Sequence, residues 1–235
     1  MTPIAANLQA VRRRISEALQ GDSREVRVVA VSKTRSADDI RAALSAGCRD
    51  FGENYVQEAL PKIDALAGES IHWHFIGPLQ GNKARDVAER FDWFQGLDRA
   101  KLAAALSRHR PAGREPLDVC IQVNISGEAT KSGVQAGEAL ALAREVAALP
   151  GLRLRGLMGI AAPDAEGARA RREFALLRST YEELRTQGFA LDTLSMGMTH
   201  DLEAAVAEGA TMVRIGTAIV GERVPHPDPL PRERE

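Results

Sequence analysis

Eight short apolar runs of strand type recur along this chain, with helical patterns between them. The runs fall at 26–32, 49–52, 72–76, 93–97, 117–124, 152–158, 193–196 and 212–215. Alternation of this kind predicts parallel strands joined by crossover helices. Eight units within about 200 residues fit the lower end of the (β/α)₈ range. An open doubly wound sheet is the rival, but no GxGxxG follows the first run and eight units are many for one open sheet. The expected fold is therefore an α/β chain forming a single TIM-type (β/α)₈ barrel. An extra helix precedes it, because Ile4, Leu8, Val11, Ile15 and Leu19 recur at helical spacing.

Helical periodicity is clear in three connecting segments. The segment 37–46 places Ile40, Ala43, Leu44 and Gly47 on one face, and 168–187 turns Phe174, Leu177, Tyr181 and Leu184 inward. Asp98 reads as the N-cap of a helix burying Leu102, Ala105 and Leu106. Pro61 interrupts the pattern at 56–66, so that helix either begins near it or kinks there. No linker divides residues 1–223, which read as one domain. Residues 224–235 carry four prolines among charged and polar residues and predict a disordered tail.

Composition excludes several classes. Of 235 residues, 44% are hydrophobic and 27% charged, with net charge -1, so a sizeable core is affordable and a nucleic-acid protein is not indicated. No apolar stretch approaches a membrane span, and the N-terminus has no signal-peptide core. The two cysteines, Cys48 and Cys120, form no CxxC pair and read as buried thiols of a reducing cytoplasm. No long apolar surface strip is evident, which makes a monomer the default.

In such barrels ligands meet the C-terminal ends of the strands. Lys33 ends the first apolar run, where partial desolvation would favour a nucleophilic amine; taken alone it also fits an ordinary rim lysine. Two later segments suit a phosphate. Gly197–His200 reads as a turn into a helix capped by Thr199, with free N–H groups at its start. Arg214, Ile215, Gly216 and Thr217 offer a backbone open to close approach and a hydroxyl. A phosphate cradle across the mouth from a nucleophilic lysine is a layout that suits pyridoxal 5′-phosphate (PLP). His72 and His74 share one strand face but lack an evident third metal ligand. Met158, Met196 and Met198 read as core filler.

The segments VAVSKTRS, FGENYVQE, HWHFIGPLQGNK, LMGIAAP and LSMGMTHDLEAAVAEGATMVRIGTAIVG, from about Val26 to Arg223, resemble the pyridoxal phosphate homeostasis proteins. That family's barrel is similar to the N-terminal domain of alanine racemase. The resemblance implies that Lys33 forms the internal aldimine, Arg214 contacts the pyridine nitrogen, and Gly216 and Thr217 bind phosphate. It implies a phosphate contact for Thr199, where relatives usually carry serine. It also places Asn54, Ser195 and Met196 around the cofactor. Arg35 stands where many relatives carry lysine, and Lys131 is retained.

An arginine at the ring nitrogen can only donate, so it favours an unprotonated ring and a weak electron sink. In alanine racemase the second base is a tyrosine from a C-terminal domain of the partner subunit. This sequence runs only a short way past its eighth strand and has two tyrosines, Tyr55 and Tyr181. The first expectation is therefore a PLP-binding protein of vitamin B6 homeostasis, meeting PLP-dependent apoenzymes transiently. A PLP-dependent amino-acid racemase of low activity and a cofactor-free class I aldolase using Lys33 are the competing readings.

Overall fold

The computed structural model describes residues 2–163 and 168–221. Its eight strands are β1 (Arg27–Val31), β2 (Asp50–Glu53), β3 (His72–Phe75), β4 (Trp93–Leu97), β5 (Leu117–Val123), β6 (Leu152–Gly159), β7 (Thr193–Ser195) and β8 (Met212–Ile215). They pair in sequence order, all parallel, and β8 returns to β1 through Val29↔Arg214 and Ala30↔Ile215 to close the barrel. Every expected strand is present, with each end within one residue of expectation.

The helices are α1 (Pro3–Leu19), α2 (Ala37–Ser45), α3 (Val56–Ala65), α4 (Ala84–Arg90), α5 (Ala100–His109), α6 (Ala139–Ala147), α7 (Ala168–Thr186), α8 (Leu202–Ala207) and α9 (Thr217–Val220). Helix α1 is the extra one. It starts at a Thr2 cap with Pro at its first position and packs Leu8, Val11 and Ile15 beside α8 and α9. Helix α2 begins in a full capping box between Ser36 and Asp39.

Local details differ from expectation. Of the two readings of Pro61, the late helix start is excluded: Pro61 lies inside α3, beyond its first turn. Asp98 is not the cap of α5. The cap position is Arg99, no side chain caps it, and the Asp98 carboxylate instead pairs with Arg99 at 2.5 Å. Ala103 is buried with Leu102 and Leu106, while Ala105 packs against the core only in part. Residues 222–235, which include the expected Pro-rich tail 224–235, lie outside the described residues.

Alternation along the strands makes two cores. The larger one fills the space between barrel and helices, with Phe51, Phe75, Phe91 and Phe94 fully buried and Phe75 edge-on to Phe91 at 5.4 Å. A second apolar cluster of Val29, Trp93, Cys120, Met158 and Met212 lies apart from it, on alternating strand positions that face inward. Buried polar groups share those inward rows: His74, Gln95, Ser195 and Arg214. Met196 packs in the outer core, whereas Met198 is exposed and fills no core.

Candidate cofactor site at the barrel mouth

Lys33 follows β1 in a tight turn and is partly buried. The next residue, Thr34, holds a left-handed backbone at φ 63°, a costly conformation for a β-branched side chain. The cause lies underneath. The Thr34 N–H donates to the Glu58 carboxylate. Lys62, reaching in from α3, donates to Glu58 at 2.6 Å, to Glu53 at 2.9 Å and to the Ser32 carbonyl at 2.9 Å. The Ser32 hydroxyl donates to Glu53 at 2.6 Å. Residues on both sides of Lys33 are thus tied to one buried ion cluster. Burial pushes the Glu53 carboxyl above its ordinary value, and the Lys62 charge opposes this. In the sequence Lys62 reads as a solvated helix lysine. Its one signal was the i,i+4 spacing of Glu58 and Lys62.

Arg214 rises from β8 into the barrel and is buried. Its guanidinium donates to the Ser195 hydroxyl at 2.7 Å and to the Gly159 carbonyl at 3.0 Å. Both acceptors are neutral. Burial pushes the guanidinium down to about 10, which still leaves it charged at neutral pH. A charged donor fixed in the barrel interior by neutral partners suits an acceptor such as an aromatic ring nitrogen.

Gly216 and Thr217 follow at the start of α9. A Cβ built on Gly216 would meet only Val31, at 3.6 Å. Packing therefore does not demand glycine there, and the missing side chain leaves the backbone open beside β1. Because β8 pairs with β1, the Arg214–Thr217 segment adjoins Lys33's strand instead of facing it across the mouth. The expectation of opposite placement is corrected by closure of the barrel.

The β7 loop also differs from expectation. Thr199 is not a helix cap: it sits in a turn, and Asp201 holds the cap position of α8. The Asp201 carboxylate accepts the Met198 N–H at 2.5 Å, which folds the turn back and moves the helix start two residues on. Arg14 of α1 donates to the Thr199 carbonyl at 2.9 Å and braces this turn. The side chain of Met196 packs in the outer core and its N–H donates to the Met212 carbonyl.

Asn54 follows β2 and lines a mouth cavity with Ile76, Gln122, Asn124 and Lys131. Its buried Oδ1 has no hydrogen-bond partner in the described structure. Arg35 turns away toward α9, donating to the Gly221 carbonyl at 2.6 Å. At the other end of the barrel, His74 is buried and His72 exposed, and the described residues include no trio of side chains able to hold a metal. Arg214 and the open Gly216 backbone lie on one segment beside the strand that leads into Lys33, whereas Asn54 lines a separate cavity of the mouth.

Comparison with known proteins agrees with this chemistry. The family model described as alanine racemase, N-terminal domain, matches residues 3–224. The chain is 54% identical to the pyridoxal phosphate homeostasis protein of Pseudomonas aeruginosa, covering 95% of this chain and 97% of that one. It is 50% identical to the protein of the same name in Escherichia coli K12, covering 95% and 98%. Among solved structures, PipY of Synechococcus elongatus with PLP bound superposes with TM-score 0.78 at 36% identity, covering 90% of this chain and all of that one. Alanine racemase from Corynebacterium glutamicum matches with TM-score 0.71 at 17% identity, covering 92% of this chain and 59% of that one. At that identity the likeness speaks to the barrel alone.

Proposed function

The chain belongs to the pyridoxal phosphate homeostasis proteins, and from this we propose that it binds PLP covalently through Lys33 at the barrel mouth and serves intracellular vitamin B6 balance. The observation that carries the reading is Arg214, a buried charged donor at the inner end of β8, next to the strand that delivers Lys33. PLP, when bound, supplies a reactive aldehyde and an electron-withdrawing ring. Lys33 would hold the aldehyde carbon through its Nζ. Arg214 would donate to the ring nitrogen, and Gly216, Thr217 and Thr199 would hold the phosphate. Asn54 and Ser195 would line the pocket, with Met196 contributing backbone.

We read the chain as a carrier more than a catalyst. A guanidinium donor keeps a proton off the ring nitrogen, so negative charge developing on a bound amino acid gains little stabilisation. Neither tyrosine is set up as an acid or base on the open face. The Tyr181 hydroxyl is committed to the Leu191 carbonyl at 2.9 Å, and Tyr55 is exposed at the start of α3. Among the described residues no helix is long and apolar enough to cross a membrane. Cytoplasmic residence, a monomeric state and transient contact with PLP-dependent apoenzymes complete the proposal.

The test is the visible absorption spectrum of purified protein incubated with PLP. A visible band that borohydride bleaches, with the label on Lys33, is expected, and Lys33→Ala should abolish it. A band that persists in Lys33→Ala sinks the assignment. Incubation with single enantiomers of alanine in deuterated water reads the alternative: rapid Cα exchange or racemisation would make the protein an enzyme.

A further inference from the structure

A single hydrogen-bonded chain runs through the barrel from Arg214 to Asp50. Arg214 Nη1 donates to Ser195 Oγ at 2.7 Å, and Ser195 Oγ donates to Gln95 Oε1 at 2.6 Å. Gln95 Nε2 lies 2.9 Å from His74 Nδ1, and His74 Nε2 lies 2.9 Å from Asp50 Oδ1. The five groups come from five strands, β8, β7, β4, β3 and β2. Ser195, Gln95 and His74 are completely buried.

Elementary donor counting gives this chain one direction. A guanidinium has no acceptor, so Ser195 Oγ accepts from Arg214. The single hydroxyl hydrogen then goes to Gln95 Oε1, which turns the Gln95 amide nitrogen toward His74. One of its hydrogens meets His74 Nδ1, and the amide nitrogen also lies 3.2 Å from Met212 Sδ. Nδ1 must therefore accept, the ring proton must sit on Nε2, and Asp50 receives it. Reversing the Gln95 amide would aim two donors at Ser195 Oγ and leave the hydroxyl hydrogen without its acceptor. It would also require a proton on His74 Nδ1, and burial already holds that imidazole below its ordinary value. At its far end Asp50 also lies 3.7 Å from Arg27 and 3.4 Å from His72, both on the exposed face of the barrel floor.

Such a chain sits where Val29, Trp93, Cys120, Met158 and Met212 show that apolar packing is available. A buried polar network is tolerated only when every member is satisfied, and here each link depends on the next. We propose that Gln95 and His74 are positioning residues for the cofactor: acting through Ser195, they fix the Arg214 guanidinium at the angle from which it meets the ring nitrogen. This rests on the PLP reading above. Neither residue touches the cofactor.

The test compares PLP-loaded wild type with Gln95→Met, His74→Phe and His74→Gln. Gln95→Met keeps the volume and leaves the Ser195 hydroxyl without its acceptor. His74→Phe keeps the flat ring but removes donor and acceptor, while His74→Gln restores one of each. The expected result is a shifted visible band and roughly tenfold weaker PLP binding in Gln95→Met and His74→Phe, the scale of one hydrogen bond to a charged group. His74→Gln should return toward wild type in both. Folded Gln95→Met and His74→Phe proteins with wild-type band and affinity would overturn the proposal, as would His74→Gln behaving like His74→Phe. Should the variants fail to fold, ¹⁵N spectroscopy of the wild-type protein reads the His74 tautomer directly. Nε2–H is required at neutral pH, and Nδ1–H or an imidazolium refutes the chain. A wild-type protein without a borohydride-sensitive band fails at the cofactor reading itself, which the tautomer measurement keeps separate.

Discussion

The Lys62 ammonium lies 2.9 Å from the Glu53 carboxylate and 2.9 Å from the carbonyl of Ser32, the residue before Lys33. Both charged groups are buried, so removing one leaves the other uncompensated. Lys62→Met should cost about 3–5 kcal/mol in urea unfolding at neutral pH. The sign of the pH dependence follows from Glu53, whose folded-state pKa is raised by burial. A carboxyl of this kind opposes folding as pH climbs from its unfolded value toward its folded one. Without Lys62 the loss should therefore be smaller in acid, where Glu53 is protonated, and Lys62→Met/Glu53→Gln should recover much of it. A Lys62→Met protein as stable as wild type at neutral pH would show that the cluster is not what holds the Lys33 turn.

The barrel was legible because its strands are continuous apolar runs and its helices repeat on one face. Boundaries were less so. Asp98 and Thr199 look like caps by residue type, yet each helix begins later, where no side chain caps it. Lys33 could be read because it follows an apolar run, and Arg214 because it is the one charged residue within another. Lys62 could not, since a lysine on an amphipathic helix reads as solvated until the packing shows it turned inward. Gln95 was hidden for a related reason: inside WFQGL one polar residue looks like an interruption, and only barrel closure brings it to Ser195 and His74.

Arg14 joins α1 to the β7 loop, donating to Glu203 at 2.6 and 2.8 Å and to the Thr199 carbonyl. The Arg14 hydrogen bond holds the Glu203 carboxyl below its ordinary value. A depressed folded-state pKa stabilises above the unfolded value, and that stabilisation is lost as pH falls through the carboxylate range toward the folded value. Glu203 is half exposed, so solvent screening limits the effect to well under about 1 kcal/mol. Urea midpoints of wild type and Glu203→Gln should differ slightly at neutral pH and converge in acid. Divergence on acidification would contradict the assignment.

Cys48 and Cys120 are both free and buried. Burial pushes the Cys48 thiol up to about 11 and the Cys120 thiol higher still. Thiolate, not thiol, is the reactive form. Iodoacetamide should leave both unmodified in native protein at neutral pH and alkylate both in denaturing urea. Stoichiometric labelling of the native protein at the rate of a free thiol would refute this.

Two glycines separate the demands of the fold from those of the site. Gly156 on β6 pairs with Thr193, and a Cβ there would fall 1.7 Å from the Thr193 carbonyl oxygen. Backbone cannot yield as a flexible side chain does, so Gly156→Ala should destabilise the barrel by about 3 kcal/mol or more. At Gly216 the same methyl meets only Val31 at 3.6 Å, with φ at −100°. Packing gives Gly216 little reason to be glycine, and a phosphate close to that backbone gives it one. Gly216→Ala should therefore keep its melting temperature within a few degrees of wild type, roughly 1 kcal/mol or less, while its PLP dissociation constant rises about tenfold. Unfolding of Gly216→Ala would place the constraint in the fold. Wild-type affinity in a folded Gly216→Ala would remove the β8 turn from the phosphate site.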